Sequence, residues 1–365
     1  MEPLTTGKQR LIVVTSLFPP AVGGAAEDFR LLTEEWRRAE AVERIVILTE
    51  RYPGSPAREQ RDNIVVRRVL PPRDTRPALK TPNRLIRSVL TYSYLVMAIA
   101  WELHRSPSQV VLVHGRYGRK SFLRILRLMG AKTVVFLSDR FTPPERLADC
   151  HAVICNANNV YQEALRQLGS GGGVFYVPLP FVPPLAGERQ SSGVRAAEPF
   201  FLFAGNVSLQ KGVDVLLKAF ASFHKEHPQY HLLLAGPVCD PSVLNHAGPG
   251  VTVLGAVDRK TTTELMMRAE AVVLPSRSEA LPRVCLEAIA LGRKVICPPG
   301  VSELRQWCPE WTLPAVSPKE VYQKLTQTLS PCFIPSFDFR KHDPKLAGEQ
   351  ILRICAAVGA CRSKG

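Results

Sequence analysis

The chain has 365 residues, 45% of them hydrophobic and 22% charged, with a formal net charge of +15. These values fit a soluble globular protein of two ordinary domains, each able to bury its own core. No apolar run reaches the roughly 18 residues of a membrane span, and nine cysteines without a Cys-x-x-Cys pair exclude a disulfide framework or a zinc knuckle. The cysteines read as reduced core residues of a cytoplasmic protein.

In chain order, Lys8 and Arg10 precede a short apolar run, Leu11–Thr15, which is too short for a signal peptide and reads as a first core strand. Further strands are expected at Ile45–Thr49, Val110–His114, Thr133–Leu137 and Ala152–Cys155. Helical patterns fill Ala25–Ala39, Arg84–His104, Lys120–Met129 and Asn158–Leu168. The apolar stretch Val89–Trp101 reads as a buried helix rather than one lying on a membrane. Strands alternating with helices predict right-handed βαβ crossovers on a parallel sheet. From 178 to 199 the prolines Pro178, Pro180, Pro183, Pro184 and Pro199, with Gly187 and Gly193, admit no periodic element, so residues 186–199 read as a linker. The rhythm then restarts. Strands are expected at Phe200–Ala204, His231–Ala235, Val251–Leu254, Ala271–Leu274 and Lys294–Cys297, and helices at Val213–Lys225, Thr261–Arg268 and around Glu287. Pro331–Asp338 reads as irregular, and Lys345–Val358 as a last helix. The fold class is α/β: two Rossmann-like, doubly wound domains, 1–185 and 200–339, facing across a cleft at their strand ends.

Charge is uneven. Residues 1–185 carry 26 Lys+Arg against 16 Asp+Glu, and Arg58–Arg87 alone holds nine basic residues against three acids. That stretch is either a solvated basic loop or an attraction for anionic lipid or an acidic acceptor. Nucleic acid is not expected, because no aromatic residues interleave with the basic ones as stacking platforms.

Four places carry chemistry. The first is Ser278–Gly292, which holds Glu279 and Glu287 around a helix start, with Pro282 suited to its first turn and Gly292 to the position past its end. A helix N-terminus attracts phosphate, while carboxylates beside it would repel phosphate unless they meet hydroxyls. The pattern therefore asks for a ligand that is part polyol and part phosphate, as a nucleotide sugar is. The second is Gly205-Asn206-Val-Ser-Leu-Gln-Lys211-Gly212, between a strand and a helix. Lys211 before a helix N-terminus is either a solvated surface lysine or a partner for a diphosphate. The third is Gly23-Gly24 after the first strand, where a backbone can pass close to a phosphate. The fourth is His114 at a strand end, followed by Arg116, Arg119 and Lys120, which mark an acceptor-binding candidate. His224, His227 and His231 straddle Pro228 and do not suit a metal, and no Asp-x-Asp pair is present.

Taken in order, Gly23-Gly24, His114, Lys211-Gly212 and the Glu279-x7-Glu287 element with Glu303 resemble family 4 glycosyltransferases, retaining enzymes of GT-B architecture. The resemblance implies a metal-independent transfer of a sugar, without cofactor, from a nucleotide-diphosphate sugar (UDP or GDP) to an acceptor hydroxyl in glycan, glycolipid or polysaccharide biosynthesis. It implies that Lys211 neutralises the diphosphate, Glu287 accepts from ribose hydroxyls, and Glu279 and His114 contact the donor sugar. Gly24 and Gly205, with amides in the segment Leu281, Pro282, Arg283 and Val284, would line the phosphates or sugar. The last helix, 340–360, would pack back on the first domain. Where the family has an arginine, Asn206 stands; Arg277 or Arg283 are the substitutes at hand. The acceptor is expected to be a glycan, or a lipid-linked or phosphorylated sugar, with peripheral contact to an anionic inner membrane face. A GT-B phosphorylase, a nucleotide-sugar epimerase and a non-catalytic glycan- or partner-binding member remain the alternatives.

Overall fold

The computed structural model describes residues 8–21, 23–69, 81–106, 109–138, 150–169, 173–184, 199–330 and 337–360. The sequence-assigned linker lies outside them except for Pro199, as do the 170–172 loop, residues 331–336, and Arg73, Arg76 and Lys80. The side chains of Arg84, Arg87 and Arg116 are also outside the description. The elements run β1 (Gln9–Val14), α1 (Gly24–Arg38), β2 (Val42–Glu50), β3 (Arg58–Arg61), β4 (Ile64–Val69), α2 (Thr81–Arg105), β5 (Val110–His114), α3 (Lys120–Leu128), β6 (Lys132–Leu137), β7 (Ala152–Cys155), α4 (Asn158–Leu168) and β8 (Val174–Tyr176). They continue with β9 (Phe200–Ala204), α5 (Val213–Glu226), β10 (His231–Ala235), β11 (Val251–Gly255), α6 (Arg259–Arg268), β12 (Ala271–Val273), α7 (Arg283–Ala290), β13 (Lys294–Ile296), α8 (Ser302–Trp307), α9 (Pro318–Gln327) and α10 (Pro344–Ala360). Two compact units result, Met1–Phe181 with Lys341–Gly365, and Val182–Arg340.

In the first unit eight strands lie in the order β3-β4-β2-β1-β5-β6-β7-β8, all parallel except the β3–β4 hairpin. Its inner strands are buried on both faces, which is why Leu11–Val14 of β1 and Val110–Val113 of β5 read as unbroken Leu, Ile and Val. The helix α10 joins this unit: Trp36 Nε1 donates to Gly348 O at 3.1 Å, and Ile351, Leu352 and Cys355 enter the core around Trp36. In the second unit five parallel strands lie in the order β11-β10-β9-β12-β13. Seven cysteines are described, all free thiols and five of them buried.

Two expectations need correction. In its described part, 58–69, the basic stretch is not a loop: Ile64–Val69 forms β4, paired with β2 and hairpinned to β3, and four of its arginines lie on this pair. Arg67 Nη2 sits 2.8 Å from the buried carboxylate of Glu102, and Arg68 is itself buried against Glu59 and the carbonyls of Pro19 and Pro56. Their charges are therefore largely engaged inside the fold. The helix α2 is also not buried throughout. Leu95, Ile99 and Leu103 enter the core, while Leu90, Met97 and Trp101 are more than half exposed on the opposite side.

Candidate functional site

In an open parallel sheet, ligands collect outside the carboxyl ends of the strands, at the point where the strand order reverses direction. In the second unit that point lies between β9 and β12, because the chain proceeds from β9 to β10 on one side and from β12 to β13 on the other. The loop after β9 is 205–212 and the loop after β12 is 274–282. Their charged residues meet: Lys211 Nζ and Glu279 Oε1 lie 2.5 Å apart, with side chains 26% and 11% exposed.

The local chain explains this placement. Gly205 N donates to Ala235 O, Val207 N to Pro237 O, and Cys239 N returns to Val207 O, so the lysine loop is stitched to the loop after β10. Gly212 then takes a left-handed conformation (φ +70°) as the N-cap of α5, and a Cβ there would stand 2.0 Å from Pro275 O. Only glycine lets the two loops approach this closely. Gly236 plays the same part beside Gly205, where a Cβ would stand 1.9 Å from the Gly205 carbonyl oxygen. Asp214, in the first turn of α5, receives both Arg277 Nη1 and Nη2 at 2.8 Å, and Arg277 also donates to Leu209 O. Such bidentate pairs hold geometry as well as charge. The guanidinium keeps the Asp214 carboxyl below its usual range, and hydrogen bonding to Asp214 keeps Arg277 charged.

The helix α7 starts one residue later than expected: Pro282 is its N-cap, and Arg283 is its first residue. Leu281 and Arg283 are buried, and Val284 is half-buried. At its other end Gly292 N donates to Ile289 O and Arg293 N to Ala288 O, a Schellman closure around Gly292 at φ +65°. Glu287 lies in the second turn, 3.6 Å from Arg259 on α6. Glu303 is buried in α8, and Asn206 is exposed beside Gly205. Arg277, one of the two arginines considered as substitutes for one at position 206, is held here by Asp214 and Leu209 O.

The reversal point of the first unit lies between β1 and β5. His114, the last residue of β5, is 2% exposed; its Nδ1 is 3.0 Å from Thr15 Oγ1 and its Nε2 2.7 Å from Ser138 Oγ. Phe29 packs edge-on against its ring at 4.9 Å, and Phe136 at 5.7 Å. Burial lowers its pKa to about 4, so the imidazole is neutral at pH 7 with one nitrogen donating and one accepting. Gly23 is the N-cap of α1 and Gly24 its first residue, so this glycine pair ends the β1 loop. Arg119 is the exposed N-cap of α3 and Lys120 its half-buried first residue. The structure thus groups Gly23, Gly24, His114, Arg119 and Lys120 in the first unit, and Gly205, Asn206, Lys211, Glu279, the 281–284 segment and Glu287 in the second.

Sequence reasoning missed Asp214 and Gly236. The signal for Gly236 was present: Ala204-Gly205 and Ala235-Gly236 end adjacent strands with the same dipeptide. Among the described residues no group of three or more His, Cys, Asp or Glu could hold a metal ion.

Residues 187–305, which contain both the lysine loop and the two glutamates, match the family model described as glycosyl transferases group 1. An uncharacterized glycosyltransferase of Methanocaldococcus jannaschii is 32% identical over 117 residues, 30% of this chain and 29% of that protein. A D-inositol 3-phosphate glycosyltransferase of Jonesia denitrificans is 30% identical over 134 residues, 32% of each. The chain thus spans about three tenths of the length of these curated relatives. Among solved structures, sucrose-phosphate synthase from Thermosynechococcus elongatus is similar at a TM-score of 0.68 and 18% identity, covering 96% of both chains. A UDP-forming α,α-trehalose-phosphate synthase from Burkholderia xenovorans is similar at 0.71 and 13%, covering 95% of this chain and 99% of that one. The fold is GT-B, and the stretch that brings Lys211 to Glu279 is where the likeness to glycosyl transferases group 1 lies.

Proposed function

We propose that the protein is a retaining, metal-independent glycosyltransferase of family 4 that uses a nucleotide-diphosphate sugar, UDP- or GDP-linked. The observation that carries this reading is the meeting of Lys211 and Glu279 at the β9/β12 reversal point, inside the segment that matches group 1 glycosyl transferases. Cleaving the bond between the anomeric carbon and phosphate leaves negative charge on the diphosphate and positive charge on the sugar. Lys211, just ahead of the α5 N-terminus, stabilises the first; Glu279 is placed for the sugar hydroxyls and Glu287 for the ribose. Preorganised charge of this kind supplies most of the rate, and each donor removed costs on the order of 3–4 kcal/mol of barrier. The acceptor oxygen bonds to the anomeric carbon on the face the diphosphate leaves, and its proton passes to the departing phosphate oxygen.

Neutral His114 offers an imidazole nitrogen to a donor-sugar hydroxyl once Ser138 yields it. The acceptor is assigned to the first unit, where Arg116, Arg119 and Lys120 suit a phosphorylated or lipid-linked sugar in a cytoplasmic setting. The UDP-forming relative whose structure holds glucose-6-phosphate supports an acceptor of that class. The test is to incubate the enzyme with UDP- and GDP-sugars and a panel of sugar phosphates, following nucleoside diphosphate release and product configuration by NMR, with and without EDTA. An axial donor should give an axial product at an unchanged rate in EDTA. Inversion, loss of the reaction in EDTA, or phosphorolysis or epimerisation without an acceptor would reject the proposal.

A further inference from the structure

The outer surface of α2 and α3 has a composition that the core does not require. On α2, Thr91, Leu95, Ile99 and Leu103 face inward, and Leu90, Met97 and Trp101 recur at seven- and four-residue spacing on the opposite side. Met97 is 64% and Trp101 57% exposed. On α3, Phe122, Leu123 and Leu126 face inward, while Ile125 and Leu128 point out, Leu128 at 88% exposure. Tyr92 of α2 packs against Phe122 of α3 with ring centroids 5.4 Å apart, so the helices are neighbours. Large apolar side chains clustered in this way mark a surface that meets something other than water.

The charge around them selects the occupant. Arg105, Arg119, Arg124 and Arg127 are exposed along the same two helices. Between 88–105 and 119–130 the sole acidic residue is Glu102, which is buried against Arg67. A second copy of the chain would set these arginines against their own equivalents. An anionic surface would attract every one of them. No helix among the described residues is long and apolar enough to cross a membrane. A surface that combines tryptophan, aliphatic side chains and arginines is the pattern of a helix lying in the headgroup region.

We infer that the outer faces of α2 and α3, centred on Met97, Trp101 and Leu128 and rimmed by Arg105, Arg119, Arg124 and Arg127, dock the protein on the surface of an anionic lipid bilayer. The contact is peripheral, with the apolar side chains entering between headgroups and the guanidinium groups meeting lipid phosphates. It moves the lipid-binding surface from the Arg58–Arg87 stretch, where Arg67 and Arg68 are engaged internally, to these two helices. It is independent of donor binding, so either can fail without the other.

The test uses the full chain with vesicles of phosphatidylcholine alone or with phosphatidylglycerol, in sedimentation and tryptophan fluorescence. Wild type should partition at least about tenfold more strongly to the anionic vesicles, with a blue shift that high salt reverses. Trp101→Ser with Leu128→Ser should lower that partition about tenfold or more, and Arg124→Glu with Arg127→Glu should do likewise. Both pairs should keep the wild-type melting temperature, because every altered side chain is exposed. Equal partition to both vesicle types, or binding that survives both double substitutions, would overturn the inference. So would self-association of the wild type that Trp101→Ser with Leu128→Ser abolishes, since a second copy would then occupy the surface.

Discussion

The two units solve the same topological problem in opposite ways. Each has a parallel sheet whose strand order reverses direction, and each brings two loops together at that point. In the first unit the contact is a buried, neutral one: His114 between Thr15 and Ser138, walled by Phe29 and Phe136. In the second it is a partly exposed ion pair, Lys211 with Glu279, braced by the Asp214–Arg277 fork. Burial in the first drives the imidazole to neutrality; in the second a lysine and a glutamate meet at a partly exposed position that a ligand can reach. Like architecture therefore does not imply like chemistry, and the side chains at the reversal point decide what each sheet edge can bind.

That contrast can be broken most severely at Gly212. Gly212→Ala places a methyl carbon against the Pro275 carbonyl at a left-handed φ, and should destabilise the second unit by at least about 4 kcal/mol. Gly292→Ala, also at positive φ but with open space around it, should cost only about 1 kcal/mol. Chemical denaturation of both variants checks the difference. Next comes Lys211→Ala, which under the proposed function should slow transfer by a factor of roughly 10²–10³ while barely changing the melting temperature.

The buried imidazole gives a pH signature of its own. Its folded pKa, about 4, lies below the usual 6.5, so the unfolded chain binds the extra proton first as pH falls. Stability is fully present above pH 6.5 and declines between about 6.5 and 4, by on the order of 3 kcal/mol. His114→Asn should flatten that part of the stability curve, whatever it does to the plateau. The smallest effect is expected at the fork. Asp214→Asn removes the charge that Arg277 grips and should cost about 1 kcal/mol and, under the proposed function, raise the KM for the donor. The native Asp214 contribution is lost on acidification through its lowered pKa, and the variant should lack that dependence.

Much of this was legible in the sequence, for identifiable reasons. Strands β5, β7, β9 and β10 are short apolar runs with sharp ends, and their limits could be read directly. The hairpin β3–β4 could not, because its arginines hide an Ile-Val-Val strand, and the partner of Arg67, Glu102, lies far along the chain. Helix α9 did carry a signal: Ser317-Pro318 followed by Glu320, with Ser317 Oγ accepting from Glu320 N, is an N-cap. In the site, Lys211 and Glu279 could be named separately. Their contact across 68 residues, and the fork of Asp214 with Arg277, depend on β9 and β12 lying side by side, which no local pattern encodes.

The central claim is that the Lys211–Glu279 reversal point holds a nucleotide-diphosphate sugar. The most direct measurement is a thermal-shift panel of UDP, GDP, ADP, TDP and their sugars on wild type, Lys211→Ala and Glu287→Ala. UDP or GDP should stabilise the wild type, with the response lost in Glu287→Ala and weakened in Lys211→Ala. No shift at millimolar ligand, or equal shifts in all three proteins, would contradict it.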